Sequence, residues 1–141
     1  MMFTADASVI VRWLIPGEEY EEHAIKIRND YAEGTVELDS PILLVYEVLN
    51  GLWKAVERSN VSVEDAVLIL EMFVKIPPKS IILDPEDLRR ALEIAITDHV
   101  SFYDASYIAT AVKMKSTFIT ADQSLSEVAK KYVKTIHLKD Y

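Results

Sequence analysis

Short apolar runs of β-prone residues alternate along the chain with longer runs at helical spacing, the pattern of a parallel sheet covered by helices. Met2–Ala5 reads as a first strand and Ser8–Leu14 as a helix stopped by Pro16-Gly17. Glu18–Glu33 carries Tyr20, Ala24, Ile27 and Tyr31 on one stripe and meets Gly34 at its end, which predicts a second helix. Val36–Leu38 is a short strand. Ser40-Pro41 then opens a helix through Arg58, because proline suits the first helical position. Ser62 and Asp65 read as a capping box for a helix to Lys75, ended by Pro77-Pro78. Ile81–Leu83 is the third predicted strand, followed by a helix Glu86–Thr97 behind the cap Asp84-Pro85. Ser101 caps a helix Phe102–Met114 with Ala105, Ile108, Ala109 and Val112 inward. Thr117–Thr120, Ser124–Lys131 and Val133–Leu138 complete the series as strand, helix and strand. With no repeat or linker, residues 1–141 are expected to form one α/β domain around four to five strands.

Composition narrows the function. Half the residues are hydrophobic (50%), which excludes a disordered chain. Cysteine is absent, which excludes disulfides, thiolate chemistry, cysteine zinc sites and iron–sulfur clusters and fits a reducing cytoplasm. No apolar stretch approaches the ~20 residues of a membrane span, and the start of the chain lacks the basic region of a signal peptide. No membrane partner is expected. A net charge of −8 argues against a broad basic face on duplex DNA. It leaves room for a nuclease with a local basic patch.

Four carboxylates stand where acids are costly. Asp6 ends the first strand, Glu47 interrupts the apolar run Ile42–Leu49, Asp104 opens the helix Phe102–Met114, and Asp122 follows the strand Thr117–Thr120. Taken singly, Asp6 and Asp122 are explained as helix N-caps and Asp104 by the helix dipole. Glu47 has the weakest bland explanation, since a charge on a core-facing stripe needs a partner. Ligands of open parallel sheets bind at the carboxyl ends of the strands, where Asp6 and Asp122 belong. If all four meet, each like-charge pair ~4 Å apart costs about 4 kcal/mol at an effective dielectric of ~20. Protons or a divalent cation must offset that repulsion. A hard ion such as Mg²⁺ or Mn²⁺ takes oxygen ligands, one or two carboxylates each. One ion or a pair could activate water and stabilise the leaving oxygen of a phosphodiester. Ser8 and Thr120 place hydroxyls within two residues of Asp6 and Asp122, suited to orienting a carboxylate. Arg12, Lys113 and Lys115, with Lys130 and Lys131, are the candidates for contact with a nucleic-acid backbone.

Other chemistry has less support. His23, His99 and His137 show no metal-site spacing, and Asp98-His99 are sequence neighbours that rarely face each other. Glycines at 17, 34 and 51 make no phosphate loop.

Asp6-Ala7-Ser8-Val9 after a first strand, Glu47 in an apolar helix, Tyr103-Asp104-Ala105-Ser106-Tyr107-Ile108-Ala109 and Thr120-Ala121-Asp122 together resemble the PIN-domain family. Length and motifs look most like its VapC-type toxin ribonucleases. The resemblance spans the whole chain in the family's order. It implies a three-layer α/β/α fold with a central parallel sheet. It also implies that Asp6, Glu47, Asp104 and Asp122 are the catalytic acids holding Mg²⁺ or Mn²⁺, and that Thr120 is the hydroxyl of the last motif. A homodimer, an RNA substrate and a small antitoxin that occupies the active-site groove follow from the same likeness. The alternatives are a PIN-like binding module without turnover, a receiver-type domain and a phosphatase-like Mg²⁺ domain. The receiver lacks its acid pair and the phosphatase its Asp-x-Asp, since only Asp6-Ala7-Ser8 follows the first strand.

Overall fold

The computed structural model describes residues 1–141. In chain order the elements are β1 (Met2–Ala5), α1 (Ala7–Leu14), α2 (Glu21–Ala32), β2 (Glu37–Pro41), α3 (Leu43–Glu57), α4 (Val63–Lys75), β3 (Lys79–Ile81), α5 (Pro85–Asp98), α6 (Phe102–Met114), β4 (Thr117–Thr120), α7 (Gln123–Ala129) and β5 (Thr135–His137). All strand pairings are parallel, in the order β3-β2-β1-β4-β5. The strands thus form the middle layer of an α/β/α sandwich. The chain builds outward from β1 through β2 to β3, then returns to lay β4 on the other side of β1. That reversal lies at the carboxyl ends of β1 and β4, the place where such sheets bind ligands.

Strands β1 and β4 are buried almost throughout, with Phe3, Ala5, Phe118 and Ile119 in the main core beside Val9 and Ile10 of α1. Helix α6 has no solvent face from Ala105 to Ala111. A helix packed on every side holds its first turn rigidly, and Asp104 sits in that turn.

Several boundaries differ from the sequence expectation, β5 among them, which spans Thr135–His137 rather than Val133–Leu138. Strand β2 runs through Asp39 and Ser40 to Pro41, so the next helix starts at Leu43 rather than at Pro41. Pro41 is the strand's last residue, past its register with β1, where a missing N–H is tolerated. Strand β3 is Lys79–Ile81, two residues earlier than the apolar triplet Ile81–Leu83 suggested, and Ile82 is 79% exposed. Helix α2 begins at Glu21 because Tyr20 takes a left-handed conformation with φ of 65°.

Candidate active site

Asp6 is the first residue past β1 and the N-cap of α1. Its Oδ1 accepts the backbone N–H of Ser8 at 3.0 Å and of Val9 at 3.4 Å, and the Ser8 hydroxyl at 2.5 Å. Its Oδ2 accepts the Thr120 hydroxyl at 2.5 Å. Only 5% of the residue is exposed. Burial pushes its carboxyl up to about 6, against the lowering effect of the Ser8, Thr120 and Val9 hydrogen bonds and with help from the charge of Asp104.

Thr120, the last residue of β4, also accepts the Asp122 backbone N–H at 3.0 Å. The Ser8 hydroxyl accepts the Ala121 N–H at 2.9 Å, so the ends of β1 and β4 are stitched together by two hydroxyls. Asp122 caps α7, its Oδ1 accepting the Leu125 N–H at 2.9 Å, while Oδ2 makes no hydrogen bond within the protein.

Asp104 is half-buried behind the Ser101 cap. Burial raises its carboxyl, and the charge of Asp122 raises it further. Glu47, half-buried on α3, accepts the Tyr107 hydroxyl on Oε2 at 2.8 Å. Burial raises its carboxyl as well, with Asp104 contributing. Asp104 therefore lies in the field of all the others: its charge reaches Asp6 and Glu47, and that of Asp122 reaches it.

These acids are neighbours without being a closed ligand cage. No three His, Asp or Glu side chains stand close enough to hold a metal ion as arranged. Three of the acids have local partners of their own, Asp6 the two hydroxyls, Asp122 its helix cap and Glu47 Tyr107. The donor set nevertheless fits a hard cation. Every donor is a carboxylate oxygen, and Glu47 Oε1 and Asp122 Oδ2 have no hydrogen-bond partner.

The basic candidates divide. Arg12 is fixed on α1, the helix that Asp6 caps, its guanidinium donating to the carbonyls of Ser8 and Glu19, each at 2.9 Å. Lys113 and Lys115 lie elsewhere. Nine residues of α6 separate Asp104 from Lys113, roughly 13 Å along the axis. Lys113 there pairs with Asp87 at 2.5 Å and Asp84 at 3.2 Å. Lys115 is the left-handed C-cap of the same helix, with φ of 54°. That placement sets both lysines apart from the four acids.

Two residues escaped the sequence reading. Tyr107 is buried under the acids, and burial and the charges of Glu47, Asp6 and Asp104 push its phenol far up. A tyrosine hydroxyl in a core helix needs a partner, which was the available signal. Asp39, 1% exposed in the middle of β2, accepts the Thr4 hydroxyl, and its Oδ2 has no partner. Burial pushes this carboxyl up to about 6 as well. Its sequence context, between a strand ending at Leu38 and a helix expected from Ser40-Pro41, gave no sign of burial.

Comparison with known proteins identifies the family. The PIN domain family model matches residues 4–131. Ribonuclease VapC3 of Pyrobaculum aerophilum is 31% identical over 132 residues, covering 90% of this chain and 94% of that protein. The crystal structure of PAE2754 from Pyrobaculum aerophilum superposes with a TM-score of 0.70 at 24% identity, covering 99% of this chain and 94% of that one. VapBC2 from Rickettsia felis, solved with a DNA fragment from its promoter, gives 0.68 at 11% identity over 97% and 98% of the two chains. At those identities the two structures speak for the fold alone. The family match and the ribonuclease relative agree: the chain belongs to the PIN-domain family and within it resembles the VapC-type ribonucleases.

Proposed function

We propose that this protein is a Mg²⁺- or Mn²⁺-dependent endoribonuclease, the toxin of a VapBC-type toxin–antitoxin pair. On this reading it hydrolyses RNA phosphodiester bonds where Asp6, Glu47, Asp104 and Asp122 gather. The observation that carries the reading is Asp6, a buried carboxylate at the sheet's reversal point, gripped by two hydroxyls within the field of Asp104. Asp6 is buried and Glu47 and Asp104 are half-buried with no basic partner, a cost that ordinary packing does not offset, while Asp122 stays exposed at the rim. Asp6, Asp104 and Asp122, completed by Glu47, would hold the ion, which when bound lowers the pKa of water and offsets charge on the scissile phosphate.

The protein's own groups do the rest. Ser8 and Thr120 keep the Asp6 carboxylate in one orientation. Arg12 contributes a guanidinium whose Nη2 is not engaged by the carbonyls that fix it, which suits a phosphate oxygen. Tyr46 and Tyr103, 71% and 60% exposed, adjoin Glu47 and Asp104 in sequence and offer faces for unstacked bases. This favours single-stranded RNA in a chain whose net charge of −8 gives no broad electrostatic grip.

Two apolar surfaces suit the expected protein partners. Leu88, Leu92 and Ile96 form an exposed i, i+4, i+8 stripe on α5, fit for a second copy in a homodimer. A hollow of about 330 Å³ between α3 and α4, lined by residues including Trp53, Val67 and Leu70, fits an apolar antitoxin segment. No helix is long and apolar enough to cross a membrane, and the site of action is proposed to be the cytoplasm. The test is cleavage of labelled single-stranded RNA by purified protein with added Mg²⁺ or Mn²⁺ and with chelator. Metal-dependent internal cuts are expected, and binding without turnover contradicts the enzyme.

A further inference from the structure

We propose that Tyr107 is a positioning residue for Glu47, its buried phenol holding Oε2 and leaving Oε1 as the oxygen that faces a cation. The inference rests on the reading of the four acids as one cation site.

The two residues come from different helices, α6 and α3, 60 positions apart, and meet at 2.8 Å. Tyr107 is 1% exposed and packed in the main core, so its ring has no alternative place to go. Glu47 has neither an ion-pair partner nor any other side-chain hydrogen bond. The phenol alone therefore decides where this flexible carboxylate stands. Tyr107 also follows Asp104 by three residues on the same helix, the spacing that puts both side chains on one face. One rigid helix thus supplies an acid and fixes the acid of a second helix. A phenylalanine would fill the same space in the core. The hydroxyl adds a neutral donor that steers Glu47 without contributing a charge to compete with a cation.

The decisive variant is Tyr107→Phe, compared with wild type for Mn²⁺ binding by calorimetry, RNA cleavage and thermal unfolding. Loss of a partner that orients a ligand weakens metal affinity or activity by about 10–100-fold. The expected result is a loss of that size in both Mn²⁺ affinity and kcat, with KM for RNA unchanged within about twofold. A purely structural hydroxyl would lower the melting midpoint and leave the Mn²⁺ affinity of the folded protein alone, which overturns the proposal. Tyr107→Phe is also placed in the Glu47→Gln background, where no charge is left to strand if the single variant fails to fold. No further loss is expected there, and an independent second loss overturns the role. Wild-type protein that binds no Mn²⁺ and cleaves no RNA overturns the cation site itself. Wild-type cleavage with an unaltered Tyr107→Phe overturns only the role of Tyr107.

Discussion

Thr120 Oγ1 donates a 2.5 Å hydrogen bond to Asp6 Oδ2 across the boundary between β1 and β4, joining residues 114 apart in sequence. The same hydroxyl accepts the Asp122 N–H, so one small side chain sets the position of two acids. Parallel pairing of Ala5 with Ile119 delivers this juxtaposition, since it brings the next residues, Asp6 just past β1 and Thr120 at the end of β4, level with each other.

Thr120→Val removes the hydroxyl and keeps the branched shape. Losing a buried hydrogen bond to a charged group is expected to destabilise the fold by about 1.5–3 kcal/mol. Activity should fall about 10–100-fold, as for other groups that orient a ligand. Thr120→Ser should retain most of both. Urea unfolding and cleavage rates of the two variants check this, and equal activity in Thr120→Val contradicts it.

Stability without metal should depend on pH through Asp6 and Asp39, both pushed up to about 6. The folded state holds these protons more tightly than the unfolded chain. Their contribution is therefore fully present below the ordinary carboxyl value and is lost as pH rises through about 6. The shift corresponds to roughly 3 kcal/mol for each group. Asp39→Asn separates the two. It should gain about 1–2 kcal/mol near pH 7.5, the remainder being offset by its own unpartnered amide, and lose that gain near pH 4.5. Urea titrations at the two pH values read the difference, and an equal effect at both would falsify the assignment.

The basic residues should separate in the same way as their positions. Lys113→Ala and Lys115→Ala are expected to leave cleavage within about twofold and to change stability little, Lys113 because its ion pairs with Asp84 and Asp87 are solvent-accessible and Lys115 because it makes none. Arg12→Ala should raise KM for RNA and flatten its salt dependence, because it removes a phosphate contact. Steady-state kinetics at two salt concentrations distinguish them.

Much of this architecture is legible in the chain. The alternation of apolar runs fixes a parallel α/β sheet, and acids at strand ends are conspicuous because the flanking residues are apolar. Glu47 stands out for the same reason. What the pattern hides is polarity inside the sheet. Leu38-Asp39-Ser40-Pro41 reads as the junction of a strand and a helix, yet Ser40 donates to the Ala5 carbonyl at 2.6 Å and Asp39 pairs with Thr4 across the strands. Local pattern carries no information on such partners, which lie 35 residues away. Lys113 illustrates the converse. A lysine in the motif-bearing helix looks well placed for RNA, but helical rise takes it to the far end, where Asp84 and Asp87 neutralise it.

The most direct test of the four-acid account is the rate of single-stranded RNA cleavage as Mn²⁺ is raised, measured for wild type and for Asp6→Asn, Glu47→Gln, Asp104→Asn and Asp122→Asn. Wild type should show saturable activation that chelator abolishes, and each variant should lose at least about 10-fold in rate or in Mn²⁺ affinity while remaining folded. Wild-type cleavage that ignores Mn²⁺ and chelator, or folded Asp6→Asn and Asp104→Asn proteins with undiminished rates, would contradict it.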